Sequence, residues 1–333
     1  MQTDEVLSAR HEEDIATGLF TLVQSRFPSG SRIDQAALFG NMDWTVSDHH
    51  HINGGLRVTT VEIDVPATPA NAAATIDIDR LSGDLGWNFS FTDTWQFVAN
   101  AGIGFRAPNI SDLGTLGDRP GNRFNIPNTD LKEERVQQLD IGVRKHAENM
   151  RFELMIYELR FDDRITSVVT GDITASGRDI VQSVNAGETS IHGAEAGIDI
   201  EFSETVRAHA VLNYTWGREI IETAAAQPAD RIPPLSGKFS LQVDLNPRWT
   251  LQSWITVAGD QDRLSDRDIR DVRIDPDGTA GWAILGTRAT WTPNESWTVD
   301  LVADNLLDEG YRVHGSGIDA PGRNFAITIR TRW

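Results

Sequence analysis

Apolar and polar residues alternate with a period of two along most of the chain. Leu85, Trp87, Phe89 and Phe91 alternate with Gly86, Asn88 and Ser90; after Thr92-Asp93-Thr94, the residues Trp95, Phe97, Ala99, Ala101, Ile103 and Phe105 alternate with Gln96, Val98, Asn100, Gly102, Gly104 and Arg106. Successive side chains of an extended strand point to opposite faces, so each run is a strand with one apolar face. The pattern recurs at 56–63, 138–144, 194–202, 206–216, 239–245, 297–303 and 325–333. Over 151–161 two sets compete for the apolar face, Phe152, Leu154 and Ile156 against Met155, Tyr157, Leu159 and Phe161, and alternation leaves the register open. No convincing 3.6-residue repeat accompanies these runs, and the whole predicts an all-β chain of about 14 strands in hairpin sequence.

The connections are unequal. Short turns near Asp93, at 147–149 and 203–204, and near Pro247 and Pro293 alternate with long segments at 107–130, 222–235 and 259–281. Short turns on one side and long loops on the other mark an antiparallel transmembrane β-barrel, whose strands need be apolar only at alternate positions. The 10 Trp residues fall near strand ends, where an indole suits the membrane interface. No stretch reaches the roughly 18 consecutive apolar residues of a spanning helix. A soluble, acidic β-sheet binding module would share the alternation without aromatic bands at membrane height.

A formal net charge of -19 argues against nucleic acid as a partner, which would need clustered Lys and Arg. Absence of Cys removes disulfides, zinc-thiolate sites and cysteine catalysis. His49, His50 and His51 are adjacent, and neighbours on a strand point to opposite sides, so they read as a loop or strand start rather than a metal site. Seven Asp residues between 260 and 277 suggest calcium by charge, but the EF-hand spacing is absent and four interleaved Arg favour a solvated loop. Ser190 and His192 form the one close pair that an outer-membrane hydrolase could use, with nothing marking a nucleophile. No catalytic residue, metal ligand or cofactor is expected.

Gly104-Phe105-Arg106-Ala107-Pro108-Asn109-Ile110-Ser111-Asp112-Leu113 resembles the FRAP box of TonB-dependent outer-membrane receptors, and Asn128-Thr129-Asp130-Leu131-Lys132-Glu133-Glu134 resembles the NPDL box that follows it. Asn185-Ala186-Gly187 with Ile191-His192-Gly193-Ala194-Glu195, the segment 275–285, the run 304–312 and the terminal aromatic are similar to later landmarks of that family. The resemblance covers roughly 87–333 and implies the C-terminal part of a 22-stranded barrel. Residues 1–333 are therefore expected to be barrel domain alone, with signal peptide, TonB box and N-terminal plug outside the chain.

That resemblance implies an outer-membrane receptor of a Gram-negative cell that imports a scarce nutrient, a ferric siderophore or haem, with energy from TonB. The implied partners are the TonB complex through the plug, outer-membrane lipid, and the barrel-assembly machinery, which would read Trp333 at the terminus. The haem group carries a histidine between the two boxes, and residues 109–127 contain none. Arg106, Arg119, Arg123 and Asn128 are the candidate ligand contacts, because guanidinium groups match anionic oxygens. The bland alternative pairs these arginines with Asp112, Asp118 or Asp130 inside the loop.

Overall fold

The computed structural model describes residues 1–23, 25, 27–67, 73–114, 117–119, 123–221 and 225–332, with backbone alone at 114 and 117–119. Fourteen strands form one antiparallel meander: β1 (Gln2–Val6), β2 (Ser31–Ser47), β3 (His50–Val65), β4 (Ala74–Ser90), β5 (Trp95–Arg106), β6 (Glu134–Ala147), β7 (Met150–Ile173), β8 (Asp179–Ser203), β9 (Val206–Ile221), β10 (Ser236–Asn246), β11 (Trp249–Ala258), β12 (Trp282–Asn294), β13 (Trp297–Asp304) and β14 (Asn324–Thr331). Each strand pairs with the next. Among the described residues no register joins β14 back to β1 or β2, so the sheet is a partial barrel wall. Trp333, the proposed assembly signal, lies outside the described residues.

Directly opposed residues share a face, which turns the registers into rows. Trp44, Ile52, Trp87, Ala99, Ile141, Ile156, Ala194 and Tyr214 make one row across β2 to β9. The adjoining row on the other face is Asp43, Asn53, Gly86, Asn100, Asp140, Tyr157, Gly193 and Thr215. One face is apolar and exposed, through Leu56, Leu85, Leu139, Leu241 and Ile327 among others; the opposite face is polar. A packed soluble sheet buries its apolar face. Here that face is left bare along the whole meander, as a wall in hydrocarbon requires.

The connections of two to four residues lie at one end, and the longer ones, from the five residues between β7 and β8 upward, lie at the other. Aromatic rings crowd the short-turn end: Trp95 sits 6.2 Å from Phe152 and 6.3 Å from Phe91, and Trp249 stacks on Trp291 at 5.9 Å. His50 stacks between Phe89 and Trp87 on the apolar face, while His51 points the other way to Asp43 at 3.2 Å. The three histidines therefore diverge, as their adjacency predicts. The turn expected at Pro293 comes slightly later, at 295–296; Pro293 sits in a bulge of β12, where its missing N–H interrupts no ladder bond.

Pairing Val143↔Leu154 and Ile141↔Ile156 settles the open register of β7: Phe152, Leu154 and Ile156 join the apolar face, and Met155, Tyr157, Leu159 and Phe161 turn to the polar one. β7 and β8, 24 and 25 residues long, far exceed the roughly 9–11 residues that cross a bilayer, and extend beyond the apolar belt.

The buried core is small and sits at the long-loop end of the polar face. Val61, Ile63 and Val65 of β3 and Ile76 and Ile78 of β4 are covered by Ile110, Leu113 and Leu131 from the segment between β5 and β6. That segment, a long irregular loop by sequence, is a strap folded onto the wall.

Candidate functional site

The strap begins with Arg106, the last residue of β5, opposite Glu134, the first of β6. Its guanidinium donates from Nε to Glu134 at 2.5 Å and from Nη1 to Asp112 at 2.6 Å. Asp112 also accepts the Asn109 N–H at 3.0 Å, and the Asn109 side chain accepts the Asp112 N–H at 2.9 Å. These reciprocal bonds start the short helix α1 (Ile110–Gly114), which turns Ile110 and Leu113 down onto β3 and β4. The second carboxylate oxygen of Glu134 takes the Ile165 N–H at 2.7 Å and so ties β7 to the same anchor.

Beyond α1, backbone of residues 117–119 pairs antiparallel with 123–126, and 123–126 runs parallel to β8 from Asp179 to Gln182. Asn128 closes the strap: its amide donates to the Ser183 carbonyl at 2.7 Å, and its side-chain oxygen accepts the Asp130 N–H at 2.9 Å. Asn185 grips Lys132 through both its N–H and its carbonyl, at 2.8 and 2.9 Å. Arg80 reaches Glu133, whose side chain is 7% exposed, at 2.6 Å.

The four candidate residues thus differ in position. Arg106 is committed to Asp112, the partner anticipated from sequence, and to Glu134, which was not anticipated. Asn128 holds the strap to β8. Arg123 is exposed on the strap's surface, with no ion pair among the described residues. The side chain of Arg119 lies outside the described ones. Sequence reasoning missed Glu133, Glu134 and Asn185 as anchors, although all three lie in segments that carried the family resemblance.

A second assembly joins three further long connections. Arg164 of β7 bonds Glu219 of β9 at 2.9 Å and Asp230 at 3.1 Å, and Arg267 of the short helix α2 (Asp266–Ile269) reaches Asp230 at 2.8 Å. Burial works to raise the Asp230 pKa, but Arg164 and Arg267 outweigh it and hold the carboxyl below its usual value. Arg231 and Arg273 both bond Asp271, whose carboxyl is held low by Arg273 first and Arg231 second. Gly315 and Gly317, both at positive φ, lie against Arg231 and Arg273, where a Cβ would come within 3.0 and 2.7 Å of the side chains.

The Asp-rich loop is therefore not simply solvated: arginines and backbone N–H groups take up several of its carboxylates. Asp268 is 1% exposed and closes a capping box with Ser265 while accepting the Arg231 N–H. Asp260 takes the Gly281 N–H at 2.7 Å. Among the described residues no three His, Asp or Glu side chains are grouped to hold a metal. Ser190 and His192 share a face two residues apart, but the His192 ring stacks on Trp216 at 4.6 Å rather than serving a hydroxyl.

Several known proteins share this architecture. The chain is similar to the "Copper transporter OprC" (TM-score 0.77, 20% identity, 96% of this chain and 51% of that one) and to the FrpB iron transporter from Neisseria meningitidis (TM-score 0.69, 15% identity, 91% and 46%). It also resembles the ferric-catecholate import receptor Fiu of E. coli (TM-score 0.66, 14% identity, 90% and 45%). A curated relative, the iron-regulated outer membrane virulence protein of Vibrio cholerae, is 22% identical over 259 residues, 73% of this chain and 38% of its own length. The chain thus spans about half the length of the solved relatives and less of the curated one. The family model described as "TonB dependent receptor-like, beta-barrel" matches residues 8–306, and with that span the chain belongs to the TonB-dependent receptor β-barrel family.

Proposed function

We propose that this chain is the barrel wall of a Gram-negative outer-membrane receptor that imports a ferric chelate with energy delivered through TonB. The observation that carries this reading is the anchored strap: both family boxes fold as one unit onto the polar face at the long-loop end, where a ligand arriving from outside would first meet the wall. Arg119 and Arg123 on the strap are the side chains we assign to the ligand's anionic oxygens, with Arg106 and Asn128 holding the strap in the shape that presents them. Energy coupling would reach this wall through a plug, and the barrel-assembly machinery would engage Trp333. Two of the three solved relatives and the curated one are named for iron, which favours an iron chelate over the copper of the third, and the absence of a histidine between the boxes favours a siderophore over haem.

Titration of the folded chain in detergent with a ferric catecholate, a ferric hydroxamate and haem, followed by tryptophan quenching, tests this. Saturable binding of a ferric chelate, weakened severalfold by Arg123→Gln, is expected. No saturable binding of any of the three would overturn the reading.

A further inference from the structure

The strap and the three-loop assembly meet in the wall at a bulge in β7. Phe161 pairs with Thr189 and Thr166 with Val184 in a common register, but between them Arg164 pairs with Gly187 and Ile165 with Asn185, so an extra residue on β7 is offset by one on β8. Asp163, inside the bulge, has a φ of 58°, a left-handed backbone that regular strand does not use. Alternation would send Arg164 and Ile165 to opposite faces. The bulge instead brings both to the polar one: the Arg164 guanidinium lies among Thr189, Glu219 and Asp230, and the Ile165 side chain packs against the core under the strap.

Each of these two neighbours belongs to a different assembly. The Ile165 N–H donates to Glu134 at 2.7 Å, and Glu134 holds Arg106 at the root of the strap. The Asp163 carbonyl accepts from the Asn185 amide at 2.8 Å, and that same amide grips Lys132 at the strap's other end. On the opposite side, Arg164 donates to Thr189 at 3.2 Å, to Glu219 at 2.9 Å and to Asp230 at 3.1 Å, and Asp230 passes the link to Arg267 of α2. From there the Gln261 amide reaches the Ile232 carbonyl at 2.8 Å and Thr279 bonds His314 at 2.9 Å, which joins the loops 222–235, 259–281 and 305–323. Burial works to raise the Glu134 pKa, but Arg106, the Ile165 N–H and the Arg164 charge hold the carboxyl below its usual value, so Arg164 acts on the strap's anchor as well.

We infer that the Arg164-Ile165 pair is a two-sided latch that makes strap and loops open as one unit, so that whatever moves either moves the other. The second state is an unbulged β7. When Glu134 leaves the Ile165 N–H, nothing on the strap side fixes the bulge, and regular alternation turns Arg164 toward the outer face, away from Glu219 and Asp230. A local rearrangement of two residues is thereby converted into a discrete change at two separate places, which a continuously deformable contact would not give. The latch operates in the unliganded chain, whatever nutrient the receptor carries.

Hydrogen exchange on the chain folded in detergent tests this. Leu131→Ala, at a core residue 3% exposed, should speed exchange at the strap amides of Leu113 and Asn128 and, through the latch, about fivefold at the loop amides of Ala229, Gln261 and Thr279, with Ile141 in the belt unchanged. Arg164→Met keeps the stem and removes the guanidinium; in that background Leu131→Ala should still speed the strap and leave the loops where Arg164→Met alone put them. Coupling is reciprocal, so Asp230→Asn should speed the strap amides when Arg164 is present and not in the Arg164→Met chain. Loop amides indifferent to Leu131→Ala while the strap responds, strap amides indifferent to Asp230→Asn, or an equal response with and without the guanidinium would each overturn the latch. Where Leu131→Ala also speeds Ile141, the milder Leu131→Val replaces it and the same comparison decides. An unchanged sheet spectrum in circular dichroism identifies variants that still fold, and the Asp230→Asn arm decides without Arg164→Met.

Discussion

Replacing Ile63 by Ala should loosen the strap without opening the wall. Ile63 is 0% exposed, in the cluster formed by β3, β4, Ile110, Leu113 and Leu131. The change removes three carbons, about 2.4 kcal/mol at ~0.8 kcal/mol per buried methylene. The cavity left behind brings the expected cost to about 3 kcal/mol, within the usual range for Ile→Ala. Part of that contact is with β4 across the pair Ile63↔Ile76 and is not released when the strap lifts. Assigning roughly half to the strap predicts a tenfold rise in its opening, since about 1.4 kcal/mol is a factor of ten. Hydrogen exchange reads this at the Leu113 N–H, bonded to Asn109, and at the Asn128 N–H, bonded to Leu113. The Ile141 amide, within the belt, serves as the internal control. Leu56→Ala is the external one, because Leu56 is 62% exposed on the opposite face. Equal acceleration by Leu56→Ala, or unchanged strap exchange in a folded Ile63→Ala protein, would show that the strap is not held by this core.

Three further outcomes follow from the same geometry. Asp268→Ala strips the cap of α2 and leaves the Arg231 and Ser265 N–H groups without their acceptor, a cost of about 1–3 kcal/mol that should appear as faster tryptic cleavage at Arg263, Arg267 and Arg270. Gly193→Val puts a Cβ within 2.3 Å of the Tyr214 carbonyl and 2.5 Å of the Tyr157 hydroxyl, so the Tyr157–Thr215 bond must break and the melting temperature should fall; an unshifted melt would refute the close packing of β7, β8 and β9. Burial lowers the His314 pKa below 6.5, outweighing the opposing pull of Asp268, with Arg231 adding a smaller push in the same direction as burial. The neutral ring, bonded to Thr279 at 2.9 Å, therefore stabilises its loop above pH 6.5, and that contribution is lost as pH falls through the lowered value. Exchange at the Ser316 and Ala320 amides should rise with acid beyond the intrinsic chemistry, and His314→Gln should flatten the profile.

Much of the wall was legible because a strand's period of two is a local property: each of Leu85, Trp87 and Phe89 reports its face without knowledge of its neighbours. The asymmetry of short and long connections was equally local, and with it the barrel class. The β7 register was not legible, since both faces of 151–161 are apolar and only pairing with β6 chooses between them. Nor was the strap: its anchors Glu134, Asn185 and Arg80 lie far apart in sequence, and an ion pair between distant residues leaves no periodic trace. The Asp-rich loop misled as a solvated segment, because carboxylate count says nothing about whether arginines or backbone N–H groups reach those oxygens.

The sequence by itself determined that the chain is a strand meander with one apolar face, that its turns are sided, and that its boxes resemble those of TonB-dependent receptors. Only the tertiary structure decided what covers the polar face, which arginines are committed to carboxylates and which is left exposed, and where one bulge joins strap to loops. The reason is physical: alternation is dictated by backbone geometry within one strand, whereas strap, ion pairs and bulge arise from contacts between strands whose register the chain sets only on folding.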